Sequence, residues 1–232
     1  TFSQSYIEKA LNRHPCIMRK IIALFGYRFD PSGRCEDSAS TVVTSILSDL
    51  DNVSNLDDDK IIRQYVQSIT STLRTNYYQS IANQHFEHLT FKLSCKTIPG
   101  VPKPYPTYEF FLYSPRVEGL HLRDKVARGG IRWSDRREDF RTEILGLMKA
   151  QQVKNAVIVP SGAKGGFVPK RLGQLENRED IQKEGIECYK IFISGLLDIS
   201  DNLKDDTIVK PKHVVCYDED DPYLVVAADK GT

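Results

Sequence analysis

Cysteine is scarce in this sequence and shows no functional spacing. The 232 residues include 5 cysteines, an odd number, widely separated and without a C-x-x-C pair. That pattern argues against a disulfide framework and against a zinc site. Unpaired thiols are typical of a reducing compartment, and we therefore expect a cytoplasmic protein. The cysteines are Cys16, Cys35, Cys95, Cys188 and Cys216.

Long apolar runs and a strong net charge are also missing. No run approaches the roughly 20 apolar residues that a membrane span needs, and no signal-peptide pattern opens the chain. The net charge of +1 at pH 7 argues against a globally basic nucleic-acid binder. The 5 histidines show no paired spacing of the kind that binds a metal or forms a triad. We therefore expect no membrane, nucleic-acid or metal partner.

The near-zero net charge conceals an uneven distribution along the chain. Residues 120–172 contain 12 Lys and Arg against 5 Asp and Glu, whereas residues 173–232 contain 7 against 14. A positive central segment is therefore followed by a negative one. The positive charge is local, which favours a site for a small anionic ligand in the central segment.

Two kinds of periodicity predict the fold. Apolar residues recur at helical spacing through residues 1–80, for example at Ile17, Ile21 and Leu24. Residues 89–95, 108–113 and 117–122 then read as strands. Helices are predicted after Ser134 and over 179–197, the second with an inward apolar stripe that includes Ile186. Further apolar runs occur at 156–159 and 223–226. We predict an α/β fold, with a helical segment at 1–80 followed by an open mixed α/β sheet in a domain at 81–232.

Residues 128–170 combine two Gly-Gly steps with cationic side chains at the ends of predicted elements. Glycine allows close approach of a ligand to the backbone, and Arg and Lys supply anion-binding donors. Lys164, in GAKGG, is predicted to follow the buried strand at 156–159 and to be enclosed by backbone, which would lower its pKa towards neutrality. A proton-transfer lysine needs such a pKa. A surface lysine beside turn glycines is the alternative, and these residues alone leave both open.

Two acidic clusters invite a metal interpretation. One is the triplet Asp57, Asp58 and Asp59, and the other is the run at 218–221. The triplet opens a predicted helix, where carboxylates favour the positive end of the helix dipole. The run at 218–221 lacks the spacing of a calcium loop. We expect both to be solvated rather than to bind metal. Trp133, the single tryptophan, is predicted to be a packing anchor.

The central stretch resembles a known enzyme family. RGGIRWSDRREDFRTEILGLMKAQ followed by VKNAVIVPSGAKGGFVPK is similar to the substrate half of glutamate dehydrogenases, above all the NAD-specific, large-subunit class. The phrases TLRTNYYQS, YSPRVEGLHLR and DDPYLVVAADKGT extend the resemblance from about Leu73 to the end. It implies that 81–232 is the substrate-binding domain of an oxidoreductase of amino-acid catabolism. The expected reaction is the oxidative deamination of L-glutamate to 2-oxoglutarate and ammonia.

The resemblance also implies roles for individual residues. Lys164 matches the lysine that polarises the substrate α-carbon centre and activates the water that attacks the iminium intermediate. Asp229 matches the aspartate that exchanges a proton with the substrate amino group. The segment from VKNA to AKGG is shorter than in the small-subunit enzymes, so the strand-to-loop register around Lys164 stays open.

Other positions match the family's substrate contacts. Lys154 corresponds to the lysine that holds the α-carboxylate, and Gln151 to a residue that faces the substrate. Arg128, before Gly129, stands where the small-subunit enzymes carry a lysine for the γ-carboxylate. Arginine keeps the charge and adds bidentate geometry, but it is bulkier, so the contact could instead fall to Arg132.

The nucleotide-binding half of such an enzyme is missing from the sequence. GAKGG does not fit the phosphate-binding loop G-x-x-x-x-G-K-[ST], and no G-x-G-x-x-G follows any predicted strand. We expect NAD to be bound mainly by a domain outside this chain, and the chain to be an excised piece of a homo-oligomeric enzyme. The alternative is a non-catalytic anion-binding or assembly module that keeps the same fold.

Overall fold

Thr72 is the last residue of a helical unit, and Leu73 is the first of a sheet unit that takes most of the remaining chain. A short piece from Thr97 also belongs to the helical unit. The computed structural model describes residues 2–82, 87–98, 103, 105–124, 129–136, 138–155 and 162–222, with the backbone alone at 154 and 155. The predicted strand at 156–159 and the apolar run at 223–226 lie outside the described residues.

The helical unit contains four helices. They are α1 (Gln4–Arg13), α2 (Pro15–Phe29), α3 (Glu36–Leu50) and α4 (Leu56–Ser71). Pro15 begins α2, where its missing N–H leaves no helical hydrogen bond unmade. The side chain of Asn55 accepts hydrogen bonds from the backbone N–H groups of Asp57 and Asp58 and so caps α4. Apolar residues at helical spacing form the core: Ile17, Ile21, Leu24, Ala39, Ile46, Leu50, Ile62 and Val66.

The acidic triplet opens α4 as predicted, but Asp58 is not solvated. Its side chain is 1% exposed. It accepts a hydrogen bond of 2.8 Å from Arg13 Nε and lies 2.9 Å from His14 Nε2. The bond from Arg13 is the main reason that the pKa of Asp58 falls to about 2. The prediction of a solvated triplet is therefore wrong for Asp58, because Arg13 at the end of α1 and the following His14 cover the carboxylate.

Within its described residues, the sheet unit contains a sheet of six strands in the order β1-β2-β3-β4-β6-β5. The three contacts from β2 to β3, β3 to β4 and β4 to β6 are antiparallel, and β5 runs parallel to β6. The strands are β1 (Thr72–Thr75), β2 (Leu89–Ser94), β3 (Tyr108–Tyr113), β4 (Val117–Arg123), β5 (Ile131–Trp133) and β6 (Ala163–Pro169). A separate hairpin pairs β7 (Asn202–Lys204) with β8 (Thr207–Val209).

Helices cover both faces of this sheet. Helix α7 (Arg178–Asp198) packs on one face against Phe110, Leu112 and Phe167. Helix α6 (Phe140–Asn155) packs on the other face against Leu120, Leu122 and Val168. Two shorter elements complete the unit, α5 (Tyr77–Ala82) and a 3-10 helix, η1 (Leu172–Gln174). The predicted α/β fold, with helices first and a mixed sheet after them, is confirmed.

Helix α7 approaches the sheet through glycines rather than through the stripe predicted for it. A Cβ on Gly185 would lie 2.3 Å from the Trp133 ring, so the ring packs directly on the helix backbone. Trp133 is therefore the packing anchor that the sequence predicts. Ile186, expected to point inward, is 49% exposed, because the buried stripe runs through Gly185, Cys188 and neighbouring positions.

Strand β2 buries the face that its sequence suggests should be exposed. Thr90 and Lys92 are 0% and 1% exposed, whereas Leu89, Phe91 and Leu93 on the opposite face are only partly buried. The alternation predicts the strand correctly but not the face that α7 covers. Lys92 tolerates burial because carboxylates from the residues after α7 pair with it.

Candidate active site

Lys164 is the second residue of β6, at the edge of the sheet where β4 ends. Its Cα lies opposite Leu122, and Ala163 lies opposite Arg123, the last residue of β4. Lys164 is half-buried and alternates onto the same face as Val168, the face covered by α6. Three of the predicted site positions, Gly129, Gln151 and Lys164, meet at this edge.

The predicted loop around Lys164 is a strand, so that expectation is wrong. Both glycines after it have packing roles in the sheet, since a Cβ on Gly165 would lie 2.3 Å from Ile131 Cδ1 and a Cβ on Gly166 would lie 2.4 Å from Ile144 Cδ1. Glycines inside a strand often mark such close approach. Lys164 also stands at the amino end of β6. Because β4 runs antiparallel to β6, the carboxyl end of β4 lies beside this amino end.

The first Gly-Gly step lies directly on the start of β6. A Cβ on Gly129 would stand 1.6 Å from the carbonyl oxygen of Ala163, so no other residue fits without moving the backbone. The carbonyl oxygen of Gly130 accepts a 3.1 Å hydrogen bond from Gly165 N. The two glycines therefore allow close contact between backbone segments. They place Gly129, the residue after Arg128, against the backbone of Lys164. Arg128 itself lies outside the described residues.

Helix α6 reaches the same edge with its last two turns. The side-chain oxygen of Gln151 accepts a 3.2 Å hydrogen bond from the backbone N–H of Ala163. Gln151 is thus fixed beside Lys164. Lys154 follows on the same helix three residues later, and its side chain is outside the described part of the chain. Substrate contact by Gln151 and Lys154 stays a prediction.

Arg132, the alternative holder of the γ-carboxylate, already has a carboxylate partner. Its Nε lies 2.9 Å from Glu143 Oε1 in α6, and the side chain is 46% exposed. Glu143 also accepts a 2.7 Å hydrogen bond from Ser134 Oγ. An arginine held by a protein carboxylate offers less to a substrate carboxylate, which favours Arg128 for that role.

A buried ionic cluster occupies the α7 face of the sheet. The amino-acid sequence alone does not predict it. Three cations from three strands, Arg74, Lys92 and Arg123, contact three carboxylates that follow α7, Asp201, Asp218 and Asp221. Asp218 and Asp221 belong to the run predicted to be solvated, and for these two residues that prediction is wrong. No local pattern reveals the cluster, since its partners are far apart in sequence.

Two carboxylates of this cluster, Asp201 and Asp221, have a lowered pKa. Burial alone would raise the pKa of Asp221, but the positive charges of Lys92 and Arg123 outweigh burial, and the pKa is lowered. Burial likewise opposes ionisation of Asp201, and hydrogen bonds from Arg74, the Asp221 backbone and Lys210 lower its pKa. The cluster ties the segment around Asp221 to the end of β4, beside the start of β6.

His121 lies next to this cluster in the sheet interior. Burial lowers its pKa to about 3, and the neighbouring charge of Arg123 acts in the same direction. Among the described residues its Nε2 has no hydrogen-bond partner, and its ring meets the Phe110 ring edge-on at 5.8 Å between centroids. His121 is therefore neutral in the folded protein.

Asp229 lies outside the described residues, so its distance from Lys164 stays a prediction. Within the described ranges no group of three or more His, Cys, Asp or Glu side chains could hold a metal ion. No helix in the described part of the chain combines the length and the hydropathy that a membrane span needs.

Comparisons with known proteins identify a family for nearly the whole chain. The family model described as bacterial NAD-glutamate dehydrogenase, catalytic domain, matches residues 45–232. A second model, glutamate dehydrogenase, helical motif 3, matches residues 1–31. Together they cover the sheet unit and parts of the helical unit.

Curated relatives agree with the family models. The chain is 58% identical over 238 aligned positions to an NAD-specific glutamate dehydrogenase of Pseudomonas aeruginosa, with 100% of the chain and 15% of the relative covered. It is 57% identical to the protein of that name in Halomonas elongata, covering 99% of the chain and 14% of the relative. For Mycobacterium tuberculosis the figures are 51%, 100% and 15%. The chain thus spans about one seventh of the length of these relatives.

Proposed function

The chain belongs to the family of bacterial NAD-glutamate dehydrogenase catalytic domains, and on that premise we propose that it forms the substrate-binding wall of an enzyme that oxidatively deaminates L-glutamate to 2-oxoglutarate and ammonia. The observation that carries the proposal is the meeting of Gly129, Gln151 and Lys164 at the start of β6. These residues come from three separate segments. All three match substrate-site positions in the resemblance.

Each residue has a chemical task in this proposal. Lys164 polarises the α-carbon centre and activates the water that displaces ammonia, because an ammonium close to the reacting atoms stabilises developing negative charge. Asp229 takes a proton from the substrate amino group so that the nitrogen lone pair can assist oxidation. Lys154 binds the α-carboxylate. Arg128, the residue before Gly129 in the sequence, binds the γ-carboxylate through paired N–H donors.

The cofactor belongs mainly to a part of the enzyme outside this chain. NAD, when bound, accepts the hydride that leaves the substrate α-carbon. The sequence contains no G-x-G-x-x-G after a strand, so the residues of this chain do not fit a dinucleotide site. We accordingly assign them to substrate binding and proton transfer. A cytoplasmic homo-oligomer is part of the same proposal.

The reaction is tested in the polypeptide of the relatives' length that contains this chain, which we call the full-length enzyme. With NAD and L-glutamate it should yield NADH, 2-oxoglutarate and ammonia in equal amounts, and L-leucine should support little turnover. The 232-residue chain by itself should yield no NADH, because hydride transfer needs a nicotinamide held against the substrate. Absence of glutamate-dependent NADH formation by the full-length enzyme would contradict the proposal.

A further inference from the structure

Asp124 joins four segments at the edge of the sheet that carries Lys164. It is the first residue after β4, and its backbone N–H donates a 3.0 Å hydrogen bond to the carbonyl oxygen of Gly162. Its Oδ1 accepts a 3.1 Å hydrogen bond from the backbone N–H of Thr107, just before β3. Its Oδ2 accepts a hydrogen bond from Nε2 of Gln152 in α6. Both carboxylate oxygens are therefore held by donors of the protein.

Asp124 and helix α6 contact the two residues before Lys164. Gly162 is bonded to the Asp124 backbone, and Ala163 donates its N–H to Gln151. A Cβ on Gly162 would lie 2.9 Å from the Met148 carbonyl oxygen and 3.1 Å from Gln152 Cγ, so α6 packs directly on this backbone. The position of Lys164 is thus fixed jointly by the end of β4 and by the last turns of α6.

The Asp124–Gln152 hydrogen bond is a polar side-chain link between these two supports, in addition to the apolar packing of α6 on Leu120 and Leu122. Without it, β4 and β6 would remain paired and α6 would keep its apolar contacts, but the last turns of α6 could shift relative to the end of β4. Such a shift would move Gln151 and the helix that carries Lys154 relative to Lys164. Displacement of a reacting group by about 1 Å can cost about a hundredfold in rate.

We propose that Asp124 is a positioning residue for the reaction: through Gln152 it locks the end of α6 to the start of β6 and so sets the distance between Lys164 and the substrate groups bound by α6. This inference rests on the proposed function of Lys164. It assigns Asp124 no contact with substrate, because its carboxylate oxygens are already occupied by Thr107 and Gln152.

The test exchanges the roles of the two side chains in the full-length enzyme. Gln152→Glu places a second carboxylate against Asp124, and like charges at this distance repel. Asp124→Asn combined with Gln152→Glu restores an amide–carboxylate hydrogen bond with donor and acceptor exchanged. Asp124→Asn alone should be mild, because the Gln152 amide can rotate to present its oxygen. Gln182→Glu, at an exposed position of α7, makes the same charge change elsewhere in the sheet unit.

We expect the substitution to change kcat much more than KM. Gln152→Glu should lower kcat about tenfold or more, with KM for glutamate changed less than about threefold, and the double variant should recover kcat to within about threefold of the wild type. Gln182→Glu should behave as the wild type. Equal kcat for Gln152→Glu and Gln182→Glu, or no recovery in the double variant, would overturn the proposal.

Two further measurements keep the outcome decisive. If Gln152→Glu does not fold, Gln152→Met removes the donor without adding charge, and its kcat should still fall while the Gln182→Met variant keeps wild-type turnover. Lys164→Ala separates the two proposals. Turnover that survives Lys164→Ala contradicts the proposed function, whereas an inactive Lys164→Ala enzyme with unaltered kcat in Gln152→Glu and Gln152→Met contradicts only the positioning role.

Discussion

Arg74 and Asp201 form an ion pair of 2.8 Å between Nη1 and Oδ1, and neither side chain is exposed to solvent. Arg74 Nε also donates a 2.6 Å hydrogen bond to Asp218. Burial alone would lower the pKa of Arg74, but these carboxylates outweigh burial and raise it. The guanidinium is therefore charged in the folded protein, and its removal would leave Asp201 with Lys210 and Asp218 with Lys92 as remaining cationic partners.

Arg74→Met should destabilise the chain by about 3–5 kcal/mol, the usual cost of removing one partner from a buried ion pair. Arg63→Met is the matched control, since Arg63 pairs with Asp59 one helical turn away and is 46% exposed. Its loss should cost less than about 1 kcal/mol. Urea unfolding of the two variants measures the difference. Similar losses of stability in both variants would show that the buried cluster contributes no more to stability than an exposed ion pair.

Gly129→Ala should disturb the start of β6, because the added methyl group would collide with the Ala163 carbonyl oxygen. In the full-length enzyme we expect kcat to fall at least about tenfold, as misplacement of a catalytic group commonly has effects of this size. Gly146→Ala, on α6 with open space around it, should instead raise stability by about 0.5–1 kcal/mol and leave turnover unchanged. A wild-type kcat in Gly129→Ala would show that Gly129 does not position the active site.

His121 should make the folded chain sensitive to mild acid. Its pKa is about 3 when folded, against an ordinary value of 6.5, so below pH 6.5 the unfolded chain binds a proton that the folded chain does not. Stability is therefore lost as pH falls from 6.5 towards 3, by up to about 1.4 kcal/mol per pH unit. Asp221, whose pKa is lowered from 3.8, loses its contribution only as pH falls below about 3.8.

The comparison of His121→Leu with the wild type between pH 6.5 and about pH 4.5 isolates this effect. The free energy of unfolding should fall by about 2 kcal/mol less in the variant over that interval. His213→Asn is the control, because His213 is exposed and has φ 58, a conformation that asparagine tolerates. A wild-type pH dependence in His121→Leu would assign the acid sensitivity to other groups.

Arg128→Leu should change the substrate preference of the full-length enzyme. If Arg128 binds the γ-carboxylate, its loss leaves the substrate charge buried without a partner, and kcat/KM for glutamate should fall by at least about a hundredfold. Use of an apolar amino acid such as L-leucine should be spared or improved. The matched variant Arg132→Leu should keep the preference for glutamate, since Arg132 is paired with Glu143. The reverse pattern would transfer the role to Arg132.

Regular elements were the part of the fold that local sequence could predict. Strand β3 has the predicted bounds, Tyr108–Tyr113, and β4 extends one residue beyond its prediction, to Arg123. Both are short runs rich in apolar residues, separated by Ser114 and Pro115, and such runs bounded by turn residues indicate strands. Helix α6 begins at Phe140 rather than after Ser134, because Ser134 accepts a hydrogen bond from the Arg136 N–H in a turn that precedes the helix.

Long-range pairing was the part that local sequence could not predict. Asp218 lies 144 positions after Arg74, so the run at 218–221 gives no sign that two of its members are buried. The same limit applies to Lys164, whose glycine neighbours suggest a loop until Ile131 and Ile144 are seen to pack against them. The site residues themselves were found through the resemblance, because chemical roles leave little trace in periodicity.

The Lys164→Ala variant is the direct test of the proposed catalytic role of Lys164. The measurement is glutamate-dependent NADH formation by the full-length enzyme at saturating L-glutamate and NAD, with the unfolding midpoint recorded on the same preparation. Lys164 is half-buried and outside the apolar core clusters, so the variant should fold normally. Its kcat should fall by at least about a hundredfold, the lower limit for loss of a positioned proton-transfer group. A folded Lys164→Ala enzyme that keeps kcat within about threefold of the wild type would contradict the account.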